Sequence, residues 1–431
     1  MKMKIMINRL IAAVAVLAAC VAAPSQTDAQ GNVSPYSKFG YGILDNNATA
    51  AQKQMGGVGY AMNSGRQINV MNPASYASID TLTFLFDMGV DFTTIKSSEG
   101  AVGDINPAKE RRFGGGLDYL TMQFPLGKYM GASIGLLPFS SVGYSFGSEI
   151  ANGVNSRQGM GGLNQLYVGV AGRLFNGFSV GANFSYLFGT NVNDVYVTPN
   201  VPTTGYTALF EQVTRVRDWR VQLGVQYHVN VNPDNRLGIG LTYSPGKTLL
   251  GNAYVVRYAI DADVLPDTLG EKSLRHNADL PATYGAGLNW TWRNKLMVEA
   301  DFTYQPWAKA KSVTWPTEWN VESTRFANRY QVGLGASYTP SVRGGYFRRV
   351  TYRAGAFFNR DYVMVGDNNV RDYGVSCGFG FPTVSDKSII NLGFEYRHRQ
   401  AHPNPMVKEN YFCVRLGINF NELWFFQNKL R

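Results

Sequence analysis

Leu280–Trp307, LPATYGAGLNWTWRNKLMVEADFTYQPW, reads as two alternating stretches that meet at Arg293-Asn294. Tyr284, Ala286, Leu288, Trp290 and Trp292 share one face of the first stretch, and Gly285, Gly287, Asn289 and Thr291 share the other, because side chains alternate along a strand. The second sets Leu296, Val298, Ala300, Phe302 and Tyr304 against Met297, Glu299, Asp301 and Thr303. A soluble sheet shows this once. A transmembrane barrel repeats it around its circumference, apolar toward lipid and small or charged toward the lumen.

The pattern repeats. Downstream it recurs over Tyr330–Tyr338, Val350–Phe358, Tyr373–Phe381, Ile390–Tyr396 and Phe412–Phe420, and upstream over Leu166–Leu174, Phe178–Phe188, Trp219–Val229 and Leu237–Tyr243. Fainter versions lie at Leu82–Ile95, Gly114–Phe124 and Tyr129–Tyr144, which with the opening pair gives fourteen strands. Short links (Leu126–Lys128, Phe175–Gly177, Val231–Asn235, Arg293–Asn294, Ser341–Tyr346, Pro382–Asp386) alternate with longer ones (Lys96–Arg112, Gly147–Leu163, Asn191–Gln212, Asp261–Asn277, Lys311–Arg325, Gly366–Val370, Gln400–Lys408). Outer-membrane barrels have this asymmetry of periplasmic turns and external loops. The fold class expected is therefore all-β, a transmembrane antiparallel β-barrel of about 14 strands over residues 81–431, and the competing class is a soluble all-β sandwich.

Composition agrees with a barrel. Mean hydropathy is only -0.16, as a wall with one polar face requires, and 47 glycines and 13% aromatics suit lumenal positions and interfacial girdles. Lys2, Lys4 and Arg9 precede the apolar run Leu10–Ala23, so residues 1–30 read as a secretory signal peptide. Leu17-Ala18-Ala19-Cys20 is the alternative, a lipoprotein box that would leave Cys20 lipidated. The whole chain carries +10, and without residues 1–30 its 37 basic and 29 acidic residues leave +8. That charge fits solvated rims or contact with lipopolysaccharide, and no nucleic-acid module accompanies it. Cys377 and Cys413 fall on opposite faces of different strands, which argues against a mutual disulfide.

Residues 31–80 do not alternate and are too rich in Gly and Asn for a helix. A segment of this length ahead of a large barrel folds into the lumen as a hatch, or hangs in the periplasm as a tail. Asn72-Pro73-Ala74 within it reads as a turn.

Gly56-Gly57-Val58-Gly59 followed by Ile68–Ala74, and the hairpin with Leu280, Pro281, Ala282 and Trp307, resemble the hatch and wall of the FadL/TodX-type outer-membrane transporter family. Ser34-Pro35-Tyr36-Ser37 and Asn421–Phe426 resemble its Bacteroidota branch. The resemblance implies fourteen strands, a lumenal hatch, and passage of hydrophobic solutes of fatty-acid or aromatic type with lateral release into the bilayer at a kinked third strand. Pro138 stands in the third candidate strand, where a proline cannot donate to the ladder, so the lateral opening is expected there. Its alternative is an ordinary bulge.

Ligand-binding candidates are Phe39, Tyr41, Met55, Tyr60 and Met62 in the hatch and the inward Tyr167 and Phe357, with Arg173, Arg220 and Arg353 placed to meet an anionic head group or the lumenal acids Glu299, Asp301 and Glu395. His228, His276, His398 and His402 show no metal or nucleophile spacing, so no catalysis, metal or cofactor is expected. The expected partners are a hydrophobic small molecule, outer-membrane lipid and lipopolysaccharide. The competing function is a PorV-like interaction or shuttle protein of type IX protein secretion, which would bring a secretion partner to the loops.

Overall fold

The computed structural model describes residues 34–99, 109–150, 153–200, 206–260, 267–275, 277–313, 315, 324–341, 343–383 and 388–423. The signal peptide, Cys20, His276 and the terminal Trp424–Phe426 lie outside them. Fourteen antiparallel strands form the wall: β1 Thr83–Glu99, β2 Lys109–Pro125, β3 Met130–Ile150, β4 Gly153–Phe175, β5 Phe178–Pro199, β6 Thr207–Asn232, β7 Asn235–Ser244, β8 Thr283–Trp292, β9 Leu296–Gln305, β10 Arg329–Tyr338, β11 Thr351–Val365, β12 Asn368–Pro382, β13 Ile389–His402 and β14 Val407–Leu423. Each pairs with the next, and β14 pairs with β1 from Val407↔Glu99 to Leu423↔Thr83, so the sheet closes.

The hairpin β8–β9 has the register that its pattern demands, with Leu288 opposite Ala300 and Trp290 opposite Val298. Leu288 (62%), Leu334 (55%) and Val375 (59%) are bare to the lipid side, whereas Asn289, Glu299 and Asp301 are buried toward the axis. Arg293 and Asn294 both take φ near +50°, and the Lys295 N–H donates to the Trp292 carbonyl at 2.9 Å. This left-handed pair matches the twist of the strands it joins. On the outer face of β7–β10, Tyr243, Tyr284, Tyr304 and Tyr330 form a continuous row with ring centroids 5.1–6.2 Å apart, the aromatic girdle at the long-loop end.

The expected long links are not all loops. Much of Gly147–Leu163 and Asn191–Gln212 is strand, since β3 to β6 run far past the band facing lipid. A further strand, Gly251–Ile260, pairs with the upper half of β6 and with Asp267–Arg275 in the expected link Asp261–Asn277. Above the membrane both faces meet water, so the two-residue period disappears and only pairing remains to define a strand.

Residues 34–82 run inside the wall. They hold a 3₁₀ turn Pro35–Lys38, a two-residue strand Ile43–Leu44, one helical turn Ala50–Lys53 and a second 3₁₀ turn Pro73–Ser78. Inward glycines mark where this segment touches the barrel: a Cβ on Gly240 would collide with the Tyr60 carbonyl, and one on Gly355 with the Met55 backbone. Gly355 has no left-handed φ, so close approach alone excludes a side chain there. Gly355→Val should leave a folded barrel, shown by heat-modifiable electrophoretic mobility, while amides around Met55 exchange with deuterium at least tenfold faster than in the parent; unchanged protection would refute the packing role.

Candidate functional site in the occupied lumen

Local sequence shapes the inner segment before the wall holds it. Thr49 and Gln52 cap Ala50–Lys53 reciprocally, and the turn after it uses Gly56 and Gly57 at φ +72°. Asn72 caps Pro73–Ser78 by accepting from the Ala74 N–H at 3.1 Å, while its side-chain amide donates to the Tyr60 carbonyl at 2.7 Å. Asn72-Pro73-Ala74 is thus the start of a 3₁₀ turn and a tie to the next loop.

The wall grips the segment mainly through its backbone. Asp301 Oδ2 accepts from the Gly59 N–H (2.7 Å) and the Tyr60 N–H (3.0 Å), and Glu299 Oε1 from the Ala61 N–H (2.8 Å). Gln226 donates to the Tyr60 and Met62 carbonyls. The Ala50 N–H donates to Tyr119 Oη, which donates to Asp87. The acids of the opening hairpin hold main chain, and among the described residues neither pairs with an arginine.

Arginine–carboxylate pairing occupies the opposite wall. Arg415 meets Glu395 at 2.6 Å, Arg399 meets Asp372 at 2.8 Å, and Lys53 of the inner segment meets Asp118 at 2.6 Å and Asp45 at 3.2 Å. These groups surround a cavity of about 440 Å³ whose near side carries Ile43, Leu44, Gly115, Gly116, Leu117 and Pro138. A second cavity of about 310 Å³ opens nearer the long loops and is aromatic, lined by Phe39, Tyr41, Tyr144, Phe210, Trp315 and Phe326. Between them stands a packed core of Tyr41, Phe139, Trp307 and Tyr362. The Trp307 and Tyr362 rings are tilted at 33° with centroids 4.2 Å apart, and Tyr362 Oη accepts from the Tyr41 N–H and donates to the Gly42 carbonyl.

The partition between the cavities is one stretch of chain. Lys38–Tyr41 face the aromatic cavity, and Ile43–Asn46 face the charged one. The same stretch stands at an interruption of the wall. β2 and β3 pair only from Leu120↔Leu136 to Pro125↔Gly131; beyond that, no ladder joins them among the described residues. β3 bulges between Pro138 and Ser140 and keeps β4 on one edge throughout. On its other edge Ile43 pairs with Ser141 and Leu44 with Ser140, where continuation of the β2 ladder would put Gly115 and Gly116. Arg112 bridges the top of the interruption by donating to the Ser145 carbonyl at 2.5 Å.

The sequence candidates therefore scatter. Phe39 and Tyr41 share the aromatic cavity, and Phe357 and Pro138 the charged one. Met55 and Met62 pack with Val58, and Tyr60 Oη is 2.9 Å from Thr303 Oγ1. Tyr167 bonds Ser133, Arg173 donates to the Ala77 carbonyl, and Arg353 donates to Gln54 and Asn391. Arg220 lies over the Phe139 ring at 5.6 Å. Tyr144, Phe210, Trp315 and Phe326 went unseen because they sit above the membrane, where alternation gives no inward direction.

The sequence model of a family described as BamG matches residues 6–431. A search of curated protein sequences returns no match. Among solved structures, the toluene transporter TodX of Pseudomonas putida is similar at TM-score 0.60 and 16% identity, over 89% of this chain and 100% of that one. A FadL homologue of Pseudomonas aeruginosa follows at 0.60, 11%, 89% and 99%, and the CymD monoaromatic hydrocarbon channel at 0.58, 15%, 88% and 99%. At such identities the likeness is one of fold.

Lys53 and Asp118 are both nearly buried, and removing one partner of such a pair strands the other charge. Lys53→Met should destabilise the inner segment by roughly 3–5 kcal/mol, and Lys53→Met with Asp118→Leu should recover most of the loss. Urea titration with an optical probe on the segment distinguishes the two outcomes; equal damage in both proteins would show that the pair is not what matters.

Proposed function

The chain belongs to the BamG family, and from the fold it shares with hydrocarbon channels we propose that it carries hydrophobic small molecules across the outer membrane, as a carrier and not an enzyme. In this reading residues 31–80 are a hatch, the aromatic cavity is the receiving site, and Lys38–Asn46 is the moving part. The observation that carries it is that one stretch of chain both divides the two cavities and fills the break in the wall at Pro138.

A solute enters from the long-loop side, which is the external side of such barrels. Phe39, Tyr41, Phe210, Trp315 and Phe326 offer it aromatic faces, with Arg157, Asn193 and Gln212 as polar groups among them. Gly40 and Gly42, at φ +62° and +85°, flank Tyr41 and give the partition its two flexible joints. When Ile43–Leu44 leaves the edge of β3, the cavities join. The charged far wall repels an apolar solute, whereas the near side of Leu44, Leu117 and Pro138 does not, so the solute follows that side out between β2 and β3 into the bilayer. The vacated edge at Ser140–Ser141 is then open to Gly115–Gly116, which would reseal the ladder.

The test is a lock. Leu44 and Ser140 are Cα partners in the ladder, close enough for a disulfide. In a Cys377→Ser, Cys413→Ser background, Leu44→Cys with Ser140→Cys should form a cross-link that lowers uptake of a radiolabelled aromatic hydrocarbon or long-chain fatty acid at least tenfold in proteoliposomes, restored by reductant. Uptake that ignores the lock would sink the moving-partition mechanism, and a parent protein that carries neither solute would sink the transport reading itself.

A further inference from the structure

We propose that the turn between β10 and β11 is a binding site for the phosphate of an acidic phospholipid in the leaflet facing the periplasm. This goes beyond solute transport and does not depend on it. Most connections on the short-turn side are tight, whereas Thr339–Val350 is a folded excursion that includes the helical turn Tyr346–Arg349. Its shape is fixed by hydrogen bonds from the Ser341 N–H to the Arg348 carbonyl (2.9 Å) and from the Arg348 N–H to the Gly345 carbonyl (3.0 Å). The Thr339 N–H donates to the Lys295 carbonyl (2.8 Å), which binds the excursion to the neighbouring β8–β9 turn.

This fixed shape presents an unusual pair of surfaces. Phe347 is 76% exposed and Tyr346 45%. The hydroxyl of Tyr352, a residue of the lipid-facing side of β11, donates to the Phe347 carbonyl at 3.2 Å, so the patch continues the membrane-facing band and does not line the mouth of the lumen. Beside the two rings, Arg343, Arg348 and Lys295 are exposed, and none of them is paired with a carboxylate among the described residues. Thr339–Val350 contains no Asp or Glu at all, and Asp234, on the β6–β7 turn, is held by Arg293 at 3.0 Å.

Two exposed rings beside the lipid-facing Tyr352 need acyl chains or interfacial carbon against them. Two free guanidinium forks and an ammonium at the same depth need an acceptor-only anion, and a phosphodiester fits guanidinium donors closely. A phospholipid supplies both from one molecule, and a net negative head group adds the electrostatic attraction that juxtamembrane basic residues feel. A soluble protein partner would have to displace lipid from Phe347 to reach the same arginines.

The experiment uses the full-length folded barrel in detergent, titrated with dioleoylphosphatidylglycerol or dioleoylphosphatidylcholine and read by native mass spectrometry. The parent should retain phosphatidylglycerol more tightly than phosphatidylcholine. Arg343→Gln with Arg348→Gln should weaken phosphatidylglycerol retention on the order of tenfold and abolish the preference, while Arg325→Gln, at the opposite rim, keeps it. Phe347→Ser should weaken both lipids alike. A parent without preference, or a double variant that keeps it, overturns the proposal. So does a photo-crosslinker at position 347 that captures a periplasmic protein and no lipid in cells. Heat-modifiable mobility confirms that each variant is folded.

Discussion

In hydrocarbon, no water is available to a peptide group, so every backbone N–H and carbonyl of the wall must be paired within the protein. Closure of β14 on β1 meets that demand for most of the circumference. Between β2 and β3 the ladder stops at Leu120↔Leu136, and there the inner segment supplies Ile43–Leu44 to the edge of β3. The lumenal segment is therefore part of the wall as well as its content. Its position follows from the same requirement that shapes the barrel.

The inner face shows how that segment is held without an apolar core of its own size. Glu299 and Asp301 accept main-chain N–H groups, which pairs backbone that would otherwise be buried without a partner. Across the lumen, Arg399 with Asp372 and Arg415 with Glu395 hold the wall's own charges in place. Carboxyl groups on one side fix the segment, and ion pairs on the other line the remaining space. The apolar contribution is concentrated near the long loops, where Trp307, Tyr362, Tyr41 and Phe139 pack together.

The wall was legible in the sequence because lipid imposes a period of two on β8, β9 and their neighbours, and because Arg293-Asn294 is a turn the strand twist can accept. Where lipid stops, legibility stops: Gly251–Ile260 and the upper halves of β3 to β6 carry no face-specific pattern, and the aromatic cavity that β3 to β6 help to line was missed with them. β3 bulges beside Pro138 and the β2 ladder ends at Leu136, but nothing in the sequence said that Ile43 and Leu44 would pair there, since a two-residue strand has no period. Inward arginines could be named, yet their partners could not. Arg353 meets Gln54 and Asn391, a choice that depends on where the inner segment comes to lie.

The glycines facing the inner segment bear on how the molecule is assembled. Wall positions such as Gly240 and Gly355 fit the segment only when both are in final register, and the ladder closes only when Val407–Leu423, far along the chain, meets Thr83–Glu99. Long-range pairing of this kind is slow to form. The segment precedes β1, so filling the lumen and closing the wall are separate events that must end in one register. Biogenesis thus confronts an order-of-events problem in which closing and filling compete.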